Sequence, residues 1–193
     1  MQLNIATNNE HKLEELRFLL PEYTILGLKD LGIDAEIDEN GNTLEDNALI
    51  KAKYLYNLTK TMSIGEDTGL EVIALNGSPG VKSARYASSA NIASANISKL
   101  LANMEGVQDR RARFRTVIAV VMANGNFQIF DGKVNGVIAD MPKGSSGFGY
   151  DPIFIPDGYS LSFGEMTQDK KNAMSHRARA VEKLIDFIKI LNQ

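Results

Sequence analysis

The sequence predicts an α/β protein built on a mixed β-sheet. Three observations carry that prediction. Segments with helical spacing are interspersed with short strand-like runs along the whole chain. The runs Arg113 to Met122 and Phe127 to Ile138 flank an Asn124-Gly125 turn, which marks an antiparallel hairpin and excludes a purely parallel sheet. The chain has 193 residues, 44% of them hydrophobic, which suits one domain over 1–193 or two lobes sharing a core.

The elements follow in order. Leu3 to Ala6 reads as a short strand, and Thr7-Asn8-Asn9 follows it. Lys12 to Leu20 carries helical spacing at Leu13, Leu16, Leu19 and Leu20, with Asn8 or Asn9 as N-cap. Tyr23 to Leu28 is a second strand. Thr43-Leu44-Glu45-Asp46 resembles a capping box and opens a helix to about Thr59, with Ala48, Ala52, Leu55 and Leu58 for its inner face. Met62 to Gly65 and Leu70 to Leu75 read as two short strands, the second closed by Asn76-Gly77-Ser78-Pro79-Gly80. Ile92 to Met104 is a helix. The last helix starts near Ser175, which can cap it, and puts Val181, Leu184, Ile185, Ile188 and Leu191 on one stripe.

Composition removes several classes of function. The formal net charge of −3 argues against nucleic-acid binding by bulk charge. There are no cysteines and two histidines, which excludes disulfide scaffolds, thiolate catalysis and multi-histidine metal sites. The first residues run directly into a strand pattern without a signal peptide, and no apolar run is long enough to span a bilayer. The expectation is a cytoplasmic protein with neither a membrane nor a nucleic-acid partner.

The most informative stretch is Gly65-Glu66-Asp67-Thr68-Gly69. Adjacent carboxylates repel, and acids beside an apolar core are expensive to desolvate, so a cation is expected to neutralise them. Hard oxygen donors suit Mg²⁺, which usually accompanies a phosphate. A polar turn between two strands explains the same residues equally well.

Three further clusters could bind an anion. Thr7-Asn8-Asn9-Glu10-His11-Lys12 lies at a strand-to-helix junction, where backbone N–H groups and the helix dipole favour a phosphate. It lacks the glycine fingerprint of a P-loop and, taken alone, reads as an ordinary capped helix with a solvated Lys12. Asn47 and Lys51 stand at i and i+4, so one ligand could meet both, although a solvated helix face explains them alone. Lys170-Lys171 precedes Ser175-His176-Arg177, where cations on a first helical turn oppose the dipole unless an acceptor faces them. Gly144-Ser145-Ser146-Gly147-Phe148-Gly149-Tyr150-Asp151-Pro152 is a glycine-rich loop whose Phe148 could stack on a nucleobase or cover the core.

Taken together, these blocks resemble the inosine triphosphate pyrophosphatases, or XTP/dITP diphosphatases. The matching motifs are Thr7, Asn9 and Lys12, then Glu39, Gly41, Thr43, Asn47, Ala48, Lys51 and Ala52. Glu66-Asp67-Thr68-Gly69-Leu70 and Pro79-Gly80-Val81-Lys82-Ser83-Ala84-Arg85-Tyr86 follow. Gly147 to Pro152 and Ser175-His176-Arg177 complete the series in family order. Departures are conservative: Glu66 and Thr68 stand where many members carry Asp and Ser, Asp46 where Glu is common, and Asn8 where a small residue is frequent.

The resemblance implies an elongated mixed sheet in two lobes with a cleft between them, a Mg²⁺ requirement and a homodimer. It implies hydrolysis of ITP, dITP and XTP to the monophosphate and pyrophosphate, which keeps nucleotide pools free of deaminated purines. Asp67 would accept the proton and, with Glu39 and Glu66 as further candidates, hold the metal. Thr7, Asn8, Asn9, Glu10, His11, Lys12 and Lys51 would hold the phosphates, with Thr68 beside them. Lys12 and Lys51 would also offset charge on the leaving group. Phe148 would stack on the base, Gly149, Tyr150 and Asp151 would line its pocket, and Lys171, His176 and Arg177 would sit near it. Three alternatives compete. The Phe148 loop and the Ser175-His176-Arg177 block stand against a Maf-like pyrophosphatase. The carboxylates stand against a nucleotide sensor without turnover. Net acidity stands against nucleic-acid binding through Arg110, Arg111, Arg113 and Arg115, which read as one solvated strand face.

Overall fold

The computed structural model describes residues 1–191, so the last two residues of the domain expected over 1–193 lie outside the described part. Six strands form one sheet. They are β1 (Gln2–Ile5), β2 (Thr24–Leu26), β3 (Ser63–Val72), β4 (Arg111–Val121), β5 (Phe127–Ile138) and β6 (Phe154–Pro156), in the order β2-β1-β3-β4-β5-β6. β1 is parallel to β2 and β3, and β5 is antiparallel to β6, so the sheet is mixed as the sequence predicts.

Parallel neighbours need crossover connections. Helix α1 (Glu10–Leu19) supplies the first and α2 (Leu44–Thr59) the second. Asn9 is the α1 N-cap, its side chain accepting from the Lys12 N–H at 3.2 Å. Thr43 and Asp46 close the expected capping box on α2, with reciprocal bonds of 3.1 and 3.2 Å. Ala48, Ala52 and Leu55 are buried, but Leu58 is exposed. Leu58 lies in the last turn of α2, one residue before its C-terminal Thr59.

The segment expected to be two short strands around a turn is one ten-residue strand, β3. Only Ile73–Leu75 departs from it, as a single 3₁₀ turn. Gly65 does not bend the chain. A Cβ at that position would lie 2.0 Å from the Ala48 carbonyl oxygen and 2.6 Å from the Ala52 nitrogen. The glycine is there because α2 crosses β3 at backbone contact.

The chain divides into two interleaved units. Unit 1 comprises 1–67, 116–132 and 178 onwards; unit 2 comprises 68–115 and 133–177. The core of unit 1 gathers Leu3, Ile5, Leu16, Ile64, Ile118 and Leu184. Helix α5 (His176–Leu191) contributes Val181, Leu184 and Ile188 to it, while Leu191, expected on that stripe, is exposed. Unit 2 has its own core, where Phe114 meets Phe154 edge-on at 4.8 Å. Helices α3 (Ala93–Asn103) and α4 (Gln168–Asn172) belong to unit 2.

Candidate active site

β3 decides where the paired acids go. Successive side chains on a strand point to opposite faces, so Glu66 and Asp67 diverge. Their partners agree. Glu66 is 1% exposed and lies 3.5 Å from Lys12 Nζ on α1. Asp67 is 6% exposed and accepts a 3.1 Å bond from Lys51 Nζ on α2. Each acid is neutralised, as expected, but by its own lysine.

Lys51 also donates to Glu39 Oε1 at 2.9 Å, so one ammonium joins two carboxylates. Burial alone would push the Lys51 pKa down, but the charges of Asp67 and Glu39 and their hydrogen bonds outweigh it, and the net shift is upward. The second oxygen of Asp67 accepts from Asn47 Nδ2 at 3.3 Å. Asn47 Oδ1 in turn accepts from the Gly41 N–H at 2.8 Å. The i, i+4 spacing of Asn47 and Lys51 therefore delivers two donors to one carboxylate.

Among the described residues, no three carboxylate or histidine side chains converge into a metal cage. The available donors are all carboxylate oxygens, with Glu39 and Asp67 sharing one cation. That set fits Mg²⁺, which takes one or two carboxylates and completes its shell with waters and substrate phosphates.

The loop before α1 is tied both internally and to the chain at Ala35. Thr7 Oγ1 accepts from the Asn9 N–H at 3.1 Å, and Asn8 Nδ2 donates to the Ala35 carbonyl at 2.8 Å. The Glu10 and His11 side chains are largely exposed, and His11 lies 3.5 Å from Glu14.

In unit 2 the His176 and Arg177 side chains are buried rather than solvated. His176 is 3% and Arg177 0% exposed. Phe114 stacks on the His176 ring at 4.7 Å, and Arg177 donates to Thr68 Oγ1 at 3.3 Å. These contacts supply what the unfavourable dipole position lacked. Lys171 Nζ donates to Asp151 Oδ2 at 2.6 Å, and the same oxygen accepts from the Phe148 N–H at 2.8 Å. The half-buried Phe148 ring has Lys171 Nζ at 5.1 Å and Arg177 Cζ at 5.7 Å from its centroid. Gly147 permits this fold of the loop: its φ is +73°, and a Cβ would lie 2.0 Å from Asp151 Oδ2. Gly149 follows at φ +62° with open space around it. Tyr150 turns into the core and donates to the Ser83 carbonyl at 2.9 Å, with burial pushing its phenol pKa well up.

The alternating Arg111, Arg113 and Arg115 share one face of β4, but the face is not simply solvated: Arg113 and Arg115 are half-buried, and Arg110 lies before the strand and donates to the Ile138 and Ala139 carbonyls. Arg113 and Arg115 pair with Glu71, and Arg111 pairs with Asp109. Two polar side chains escaped the site expected from sequence. Asn47 stands in the sequence as a spacing partner of Lys51 and a motif residue, without a role at Asp67. Ser83, which accepts from the Leu70 N–H at 2.9 Å and receives Tyr150, carried no local signal beyond its place in a motif.

The Ham1 family model matches residues 3–187 of this chain. The chain belongs to the Ham1 family. Among relatives of this Ham1 chain, the dITP/XTP pyrophosphatase of Porphyromonas gingivalis is 48% identical over 189 residues, covering 97% of each sequence. That of Thermoanaerobacter pseudethanolicus is 46% identical, covering 97% of this chain and 96% of the relative. Among solved structures, the Staphylococcus aureus Ham1 protein superposes with a TM-score of 0.89 at 37% identity, covering 98% of both chains. The resemblance carried by the six sequence blocks is thereby confirmed, and so is the mixed-sheet α/β class.

Proposed function

We propose that this chain hydrolyses deaminated purine nucleoside triphosphates (ITP, dITP and XTP) to the monophosphate and pyrophosphate, and so clears them from nucleotide pools. The observation that carries this reading is the Asp67 carboxylate held between Lys51 and Asn47, in a chain 48% identical to a dITP/XTP pyrophosphatase. In the reaction a water attacks the α-phosphorus, its proton passes to Asp67, and the bond to the bridging oxygen breaks to release pyrophosphate. Such chemistry needs positioning and charge compensation more than covalent participation by the protein.

Lys51 and Lys12 supply cations for the charge that builds on the leaving pyrophosphate, and the loop Thr7 to Lys12 offers backbone donors at the α1 N-terminus. Glu39 and Asp67 would hold Mg²⁺, with Glu66 as a further candidate. When bound, Mg²⁺ would supply Lewis acidity at the phosphate oxygens.

Base selection falls to unit 2. Phe148 offers the stacking face, beside Gly149, the Tyr150 backbone and Asp151. Lys171, His176 and Arg177 bring donors that suit the 6-position carbonyl of hypoxanthine and xanthine. An adenine amine there would leave donors facing donors, at about 1–3 kcal/mol per group. Family likeness supports a homodimer and a cytoplasmic location; sedimentation would read the first directly.

The test is pyrophosphate release from ITP, XTP, GTP and ATP with and without Mg²⁺. Preference for ITP and XTP supports the assignment; equal rates on all four refute it. Asp67→Asn is expected to abolish turnover while substrate still binds, and wild-type kcat in that variant would remove Asp67 from the chemistry.

A further inference from the structure

We infer that Asn47 is a positioning residue of this site: a buried strut that sets the Asp67 carboxylate and the Glu39 loop against each other. The inference rests on the proposed reaction and deepens it. Asn47 is 2% exposed, and both ends of its amide are engaged. The Nδ2 end donates to Asp67 Oδ2 at 3.3 Å, and the Oδ1 end accepts from the Gly41 N–H at 2.8 Å, two residues beyond Glu39.

The loop is shaped to permit this contact. A Cβ at Gly41 would lie 2.7 Å from Asn47 Oδ1 and 2.5 Å from Asp46 Cβ, so only glycine lets the backbone approach the amide. Lys51, one turn along the same rib of α2, joins Asp67 and Glu39 by charge. Two ties therefore connect the same two segments, and they do different work. Lys51 is a flexible ammonium that attracts carboxylates from many directions, whereas an amide bonded at both ends fixes rotation. With Lys51 on Oδ1 and Asn47 on Oδ2, the Asp67 carboxylate plane is defined by two donors. An amide also donates without adding charge, so the carboxylate stays an acceptor with the Lys51 ammonium beside it.

Partners that orient catalytic or ligating groups are typically worth about 10- to 100-fold in activity or metal affinity. Asn47→Ala is therefore expected to lower kcat for ITP by roughly that factor with KM little changed. Asn47→Asp keeps the size and the acceptor for Gly41 but sets a second carboxylate against Asp67, and it is expected to lose as much. It decides the case if the alanine variant fails to fold. Gly41→Ala, which drives the loop off the amide, is expected to be non-additive with Asn47→Ala, because both break one link.

A readout independent of turnover accompanies these. The Gly41 amide proton should be protected from hydrogen exchange in the unmodified protein and lose protection in Asn47→Ala. Near-normal kcat in Asn47→Ala or Asn47→Asp, full additivity with Gly41→Ala, or an unprotected Gly41 amide in the parent would each overturn the strut. Failure of the parent to release pyrophosphate from ITP would instead sink the activity assignment, and the exchange measurement would still decide whether the strut exists.

Discussion

Lys51 shows how much one side chain can hold. Its side chain is 5% exposed, and its ammonium is shared by Asp67 and Glu39. Lys51→Met removes the cation bonded to Asp67 and leaves that carboxylate buried beside the Asn47 amide. Breaking a buried ion pair by deleting one partner costs about 3 kcal/mol, which at this chain length is roughly 6–12 °C in Tm. The upward pKa shift fixes the pH window. A cation whose folded-state pKa is raised stabilises fully below its unfolded value and loses that contribution as pH climbs through the folded value. The stability gap between parent and Lys51→Met should therefore be flat from pH 6 to about 9 and shrink only above 10.5. A gap that closes near neutrality would mean the ammonium is not charged as paired. Asn172 presents the opposite case. It is 3% exposed, and neither polar side-chain atom has a hydrogen-bond partner among the described residues. Buried orphan groups cost about 1–3 kcal/mol, so Asn172→Leu, close in volume, should leave Tm unchanged or raise it by a few degrees. A fall of several degrees in a melting curve would show that the amide is satisfied in solution.

At the scale of elements, α2 is placed by a single missing side chain. With Gly65 replaced by Ala, the added Cβ would overlap the Ala48 carbonyl, which belongs to helix backbone and cannot swing away. Gly65→Ala is expected to cost about 1–3 kcal/mol by overpacking and to lower kcat as well, since the displaced helix carries Asn47 and Lys51. Loss of stability with normal kcat below the melting range would show that the helix repacks without disturbing Asp67. The same crossing explains what the sequence did and did not reveal. The capping box at Thr43 and the Asn9 cap were legible because caps are local chemistry, written in three or four consecutive residues. The sequence of β3 reads as two strands and a turn because glycines and adjacent acids are turn chemistry in isolation. Here the acids are met by lysines from two helices remote in sequence, and Gly65 answers to a helix passing over it. Neither cause is local, so neither could be read locally. The burial of His176 and Arg177 was hidden for the same reason, since the Phe114 ring and the Thr68 hydroxyl that receive them lie more than sixty and one hundred residues away in the chain.

For the whole molecule, the residues proposed for the phosphate half and the base half of the substrate fall in different units. Asp67, Lys51, Lys12 and Glu39 belong to unit 1, whereas Phe148, Asp151, Lys171 and Arg177 belong to unit 2. The division predicts which kinetic parameter each part controls. Pyrophosphate carries the leaving half of the substrate and no base, so as a product inhibitor it should sense unit 1 alone. Phe148→Ala removes the ring that a purine would stack on, at about 1–3 kcal/mol of base binding. KM for ITP should then rise roughly tenfold to a hundredfold, with kcat falling less. The inhibition constant for pyrophosphate should stay within about twofold of the parent, since no group on its side has changed. Lys12→Met gives the converse, because Lys12 pairs with Glu66 on the phosphate side. Pyrophosphate inhibition should weaken there, while discrimination between ITP and ATP survives because the donors proposed to read the base are untouched. Measuring both constants in both variants separates the outcomes. If Phe148→Ala weakens pyrophosphate as much as ITP, the ring supports the fold of its unit rather than the base, and the assignment of recognition to unit 2 falls with it.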